Sequence, residues 1–153
     1  MRMLILLFTV LFSITSNAYT RQFQDWITDV GSDYAESYVH NDTGSIMGFY
    51  CTSTGCMTYF ELLNVTCKNG QITQLLVVTN KDSLHANGTC VVLSLNNKIR
   101  YVHRIDLPDI VTLMQQGSFI SIAMPLEGGQ IKVGRFSLAG YREAVYLAST
   151  STY

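Results

Sequence analysis

The sequence predicts a mainly β fold, a small antiparallel β-sandwich or barrel with a short helix near residues 108–116 and a closing C-terminal helix. Three observations carry that prediction. From Gln22 to about residue 105, short segments rich in β-branched and aromatic residues alternate with turn residues at regular spacing. The hydrophobic period then changes to helical spacing twice, once after Pro108 and again from Leu138. Finally, 153 residues of which 48% are apolar and 14% charged can bury one core, which argues against disorder and against a multidomain enzyme.

The chain begins with Met1-Arg2-Met3, an apolar run over residues 4–14, and small residues at Ser16 and Ala18. This is the pattern of a secretory signal peptide, residues 1–18, with the mature chain starting at Tyr19. A transmembrane anchor is the competing reading, but the run is too short to cross about 30 Å of hydrocarbon and polar residues follow at once. Residues 19–153 are then expected to form a single disulfide-bonded, β-rich domain, soluble and without a transmembrane anchor, in the bacterial periplasm or secreted beyond it.

Strands are expected at residues 25–29, 34–39, 45–50, 57–65, 73–79 and 90–95, each bounded by Gly, Asn, Asp or Ser. Leu95-Asn96-Asn97-Lys98 reads as a two-residue hairpin turn, since Asn tolerates positive φ, and it leads into a strand over residues 98–105. Pro108 and Asp109 suit a helix start, Ile110, Leu113 and Met114 recur at helical spacing, and Gly117 can end the element. Residues 119–124 and 131–137 read as strands around a Glu127-Gly128-Gly129 turn. Behind them, Leu138, Tyr141, Ala144, Val145 and Ala148 share one helical face.

Four cysteines, Cys51, Cys56, Cys67 and Cys90, permit three pairings. Export favours disulfides over a metal site, and the C-x-x-C or His spacing of a zinc site is missing. Cys51 with Cys56 is the preferred local pair, because Thr52-Ser53-Thr54-Gly55 reads as a tight turn; Cys67 and Cys90 are left for each other. Three Asn-x-Thr sequons, at Asn41, Asn64 and Asn87, would accept glycans in a eukaryotic secretory pathway.

A formal charge of −1 argues against a nucleic-acid binder. His40, His85 and His103 lie far apart in sequence, so no metal site and no cofactor are predicted. Gly44-Ser45-Ile46-Met47-Gly48 misses the G-x-S-x-G spacing of a nucleophile elbow and reads as a turn entering a strand. His103 shares a strand face with Ile99, Tyr101 and Ile105; it is either a base paired with Asp106 or, the preferred reading, a core histidine. The other face of that strand carries Lys98, Arg100 and Arg104, a basic stripe that could take an anionic ligand or partner, although the preferred reading is a solvated face whose basic side chains protect a strand edge. The acids Asp25, Asp29, Asp33, Glu36 and Asp42 offer it an internal complement instead.

Ala123-Met124-Pro125-Leu126, followed by Arg135-Phe136-Ser137-Leu138-Ala139-Gly140-Tyr141-Arg142-Glu143-Ala144, resembles the small exported proteobacterial proteins of the invasion-associated locus B type. The resemblance covers about the last quarter of the chain. It implies a periplasmic β-sandwich with no known catalytic centre and, in some members, a link to host-cell entry; it brings no site residues with it. The function expected is a non-enzymatic envelope protein binding another macromolecule, an unknown protein or envelope component. A periplasmic inhibitor or immunity protein of a hydrolase is the alternative, and a small hydrolase the third reading.

Overall fold

The structure, a computed structural model, describes residues 18–95 and 98–152. The signal-peptide reading, Ala18 apart, falls on residues outside that range, as does the expected turn at Asn96-Asn97. Ten strands form one antiparallel sheet: β1 (Tyr19–Phe23), β2 (Trp26–Val30), β3 (Tyr34–His40), β4 (Ile46–Thr52), β5 (Gly55–Glu61), β6 (Ile72–Thr79), β7 (Ser83–Leu95), β8 (Lys98–Asp106), β9 (Phe119–Pro125) and β10 (Ile131–Ser137). Two helices, α1 (Ile110–Gln116) and α2 (Tyr141–Thr150), complete it. The order across the sheet is β1-β2-β3-β4-β5-β8-β7-β6-β9-β10. Of sandwich and barrel, the chain comes nearer the second: the single sheet curls into a half-barrel.

Alternation of side chains gives the sheet two faces. The inner face of β2–β5 carries Trp26, Thr28, Val30, Ala35, Ser37, Val39, Met47, Phe49, Cys51 and Phe60, all buried. Leu75, Val77, Ile120, Ile122, Met124 and Phe136 continue that core across β6, β9 and β10. Helix α2 lies over β2–β4, with Tyr141, Ala144, Val145 and Ala148 buried as their spacing predicts. Polar matching fixes its position, because the Ser37 hydroxyl donates to the Ala144 carbonyl at 2.8 Å and the Thr28 hydroxyl meets Ser37 at 2.8 Å. Tyr141 packs edge-on to Trp26, and the Trp26 indole donates to the Ser137 carbonyl of β10, tying the two ends of the curled sheet.

Gly140 makes that closure sterically feasible. Its φ of 87° suits glycine, and a Cβ there would lie 1.8 Å from the Phe23 carbonyl oxygen. The small-polar-Leu-x-Gly-aromatic run noted in the sequence is therefore the joint between β10, α2 and the β1–β2 turn.

Three strand readings need correction. β5 ends at Glu61 instead of near residue 65, because Asn64 adopts φ 62° and the chain turns back through a Val65-to-Leu62 hydrogen bond. β7 starts at Ser83, well before Cys90, since Asn87-Gly88-Thr89 lies inside the strand opposite β6. A Cβ at Gly88 would come within 2.8 Å of Leu75, so glycine here serves close packing and not a turn. β1 had no prediction over most of its length: it is an edge strand, largely exposed, and lacks the alternation that marks a buried face.

Both expected disulfides are present, Cys51–Cys56 and Cys67–Cys90. Cys51 and Cys56 are direct cross-strand partners with Cα atoms 4.1 Å apart, across the two-residue Ser53-Thr54 loop. Cys67 anchors the loop after β5 to β7, beside hydrogen bonds joining Gly70 and Gln71 to Cys90.

Candidate binding site on the outer face

The outer face of β3 presents Tyr34, Glu36, Tyr38 and His40, and the paired register places Thr52, Tyr50, Gly48 and Ile46 of β4 beside them in turn. Gly48 opens a gap in this row. A Cβ there would lie 2.3 Å from the Tyr59 ring, so the absent side chain lets Tyr59 of β5 lie across β4 toward β3. The Tyr59 hydroxyl donates to the Glu36 carboxylate, and both residues are buried.

Arg100 of β8 closes this cluster. Its Nη1 meets Glu36 Oε1 at 2.8 Å, its Nε meets Glu61 Oε2 at 2.8 Å, and its Nη2 donates to the Tyr59 hydroxyl at 3.0 Å. Burial, reinforced by the neighbouring Glu36 charge, pushes the Tyr59 hydroxyl well above its ordinary value. Burial works against the Arg100 charge, but Tyr59 and Glu36 outweigh it and hold the guanidinium above its ordinary value. All three ends of the Arg100 fork are therefore engaged within the chain.

Beside the cluster lies a groove of about 400 Å³, bordered by Asp29, Tyr34, Tyr38, His40, Ile46 and Lys98, with Glu36 and Arg100 at its base. The Tyr34 and Tyr50 rings stack at 5.8 Å, and Tyr38 meets His40 edge-on at 5.5 Å. The Tyr38 hydroxyl donates to Asp29 at 3.2 Å; burial first, then the Asp29 charge, pushes its pKa up to about 12. The rings are thus held in place on strands, half exposed, with a cation at the groove edge.

The structure divides the expected basic stripe. Lys98 is exposed at the groove and forms no ion pair among the described residues. Arg100 is committed to Glu36 and Glu61, the internal complementarity with the early acids extended by one acid from β5. Arg104 pairs with Asp106 at 2.7 Å, and the Thr89 hydroxyl donates to the same carboxylate. Although partial burial works against it, these hydrogen bonds and the Arg104 charge hold the Asp106 carboxyl below its usual range.

That arrangement also decides the His103 reading. Three residues apart on a strand, His103 and Asp106 face opposite ways, and Asp106 is already held by Thr89 and Arg104. His103 is a buried inner-face residue stacked on Phe60 at 5.1 Å, as the core reading expects. Among the described residues no group reaches its Nδ1, so the Tyr or backbone partner expected with that reading is missing there. Of its expected face-mates, Ile105 is buried whereas Ile99 is 64% exposed, beyond the reach of the core. Ser45 is structural: its hydroxyl accepts the Leu63 backbone N–H at 3.1 Å.

Tyr34, Tyr38, Tyr50, Tyr59 and Glu61 are the residues of this site that sequence reasoning did not single out; Glu36 entered only among the early acids and Gly48 only in the turn reading of residues 44–48. The available signal was Gly48, a glycine inside the apolar β segment Ile46-Met47-Gly48-Phe49-Tyr50, which marks a close approach by a neighbour.

No family model and no curated protein matches the chain. Among solved structures, one described as invasion associated protein B from Bartonella henselae superposes with a TM-score of 0.59 over 86% of this chain and 96% of that one, at 11% sequence identity. At that identity the likeness speaks for a shared fold.

Proposed function

We propose that this chain is an exported envelope protein that acts by binding another macromolecule through the outer-face groove, and not by catalysis. The observation that carries the reading is the half-exposed row of Tyr34, Tyr38 and Tyr50 with His40 and Lys98, held on paired strands beside the Arg100 cluster. Aromatic side chains of fixed geometry beside a free cation are what a binding face uses: large contact area at low entropic cost, with charge to orient the partner. Of the basic stripe, Lys98 faces the partner while Arg100 stiffens the floor beneath it. The partner is a protein or envelope component with a matching acidic group. Two disulfides suit an oxidising compartment, the periplasm or beyond. The resemblance to the invasion-associated locus B proteins, together with the shared fold, supports a role at the host interface.

The hydrolase-inhibitor reading has one observation of its own. Ser53, Thr54, Gly55 and Cys56 are exposed at a hairpin tip that a disulfide stiffens, the form of a loop that can be inserted into a cleft. Photo-crosslinking in the exporting cell separates the two. A photoreactive residue at Tyr34 should give one discrete adduct that Lys98→Glu weakens, whereas one at Thr54 or Tyr146 should give none. Adducts from Thr54 alone would transfer the function to the hairpin tip, and adducts from neither position would refute the groove.

A further inference from the structure

The inner face of the sheet is covered by α2 at one end only. At the other, the loop of residues 62–71 and strands β6, β8 and β9 enclose an open cavity of about 830 Å³. Its wall is prebuilt: Cys67 in the loop is bonded to Cys90, and Cys90 sits directly opposite His103 in the β7–β8 register. Val65, Met124 and Leu126 supply apolar surface, while Tyr101 and His103 supply polar groups.

His103 is the feature that structural packing leaves unexplained. Its side chain borders the cavity and the residue is only 2% exposed; its Nδ1 is closed off and has no hydrogen-bond partner among the described residues, so Nε2 is the nitrogen left to meet a ligand. A buried polar atom without a partner is rare in native chains. The charges around it balance. Lys68 and Glu127 stand at the rim with opposite signs, and no charged residue lines the cavity deeper in. Burial lowers the His103 pKa, so the imidazole at the wall is neutral, with one nitrogen to donate and one to accept.

We propose that this cavity is a binding site for a small uncharged amphiphile, an alcohol or phenol whose hydroxyl reaches the His103 imidazole while its apolar body lies against Val65, Met124 and Leu126. This site is separate from the outer-face groove: it lies on the other side of the sheet and uses none of the groove residues. An anion finds no unopposed cation there, and a cation finds no unopposed carboxylate. A hydroxyl matches the neutral ring by hydrogen bonding in either direction.

The test is a titration of the intact disulfide-bonded protein with 1-hexanol and phenol, following the imidazole resonances of His103 by NMR, with hexanoate and hexylammonium as charged counterparts. Saturable shifts of the His103 ring are expected with the neutral probes, and at least tenfold weaker binding with either ion. His103→Phe retains the stack on Phe60 and removes both nitrogens, so it should weaken 1-hexanol about tenfold, the value of one hydrogen bond. Leu126→Trp, at the partly buried wall, fills the cavity without touching His103 chemistry and should abolish binding; it decides the matter even if His103→Phe fails to fold. The proposal is overturned by absence of a saturable shift at the solubility limit of both neutral probes, by hexanoate binding as well as hexanol, or by Leu126→Trp binding like the parent.

Discussion

On the outer face of β8, Arg100 meets two carboxylates and a tyrosine hydroxyl, each at 3.0 Å or less. Three residues along the same strand, on the inner face, His103 is more deeply buried and its Nδ1 meets no partner among the described residues. The difference lies in what each neighbouring strand places opposite. Around Arg100, Gly48 removes a side chain so that Tyr59 can bridge to Glu36, and the polar groups satisfy one another. Around His103, Phe60 and the Cys67–Cys90 disulfide supply only apolar contact. A buried charge is tolerable where every partner is present, and a buried neutral ring is tolerable without one at a smaller cost. The first arrangement holds the fold together; the second leaves hydrogen-bonding capacity free.

The largest effect should come from the inner face where α2 seals it. Val145→Asp places a carboxylate in the buried stripe of α2, among Ala144, Ala148 and the sheet, and should cost about 4 kcal/mol or prevent folding, as read by urea denaturation. On the outer face, Gly48→Ala should cost about 3 kcal/mol, because the added Cβ forces the buried Tyr59 ring away from Glu36 and Arg100. An alanine variant with parental stability would show that the cluster yields easily.

Removing only the hydroxyl, with Tyr59→Phe, should cost about 1.5 kcal/mol, since Glu36 retains Arg100. Its pH signature is alkaline. The Tyr59 pKa is raised in the folded chain, so its contribution is complete below the ordinary value of 10.0 and falls as pH rises above it; the phenylalanine variant should lose part of that alkaline decline. His103 gives the smallest effect and the opposite sign. Its folded pKa lies below 6.5, so the neutral ring stabilises the fold above pH 6.5 and that contribution is lost as pH falls through the folded value. Comparing melting temperatures across this acid range, His103→Phe should flatten the parental slope.

Much of the fold was legible because local signals and burial agreed. The closing helix followed from one apolar stripe, and the Cys51–Cys56 pair from a four-residue turn whose flanks turned out to be direct cross-strand neighbours. Residues 87–89 misled because Asn-Gly-Thr is turn chemistry when read locally, while Gly88 in fact serves the packing of Leu75 from another strand. The candidate site was half legible. Lys98, Arg100 and Arg104 could be placed on one face by period two, but their counter-charges depend on which strands lie side by side. β5 pairs with β8 instead of with its successor β6, and this long-range choice brings Glu61 and Tyr59 to Arg100. No local period encodes it.

The outer-face Arg100 cluster is part of the fold, whereas Lys98 beside it forms no ion pair among the described residues. Urea unfolding of Arg100→Gln next to Lys98→Gln tests that division most directly. Arg100→Gln should lose about 3 kcal/mol, because it strands Glu36 without a cation in a buried site, whereas Lys98→Gln should unfold at the parental urea midpoint. Equal and negligible losses in both variants would contradict the account, making Arg100 a solvated cation and returning the whole stripe to the surface.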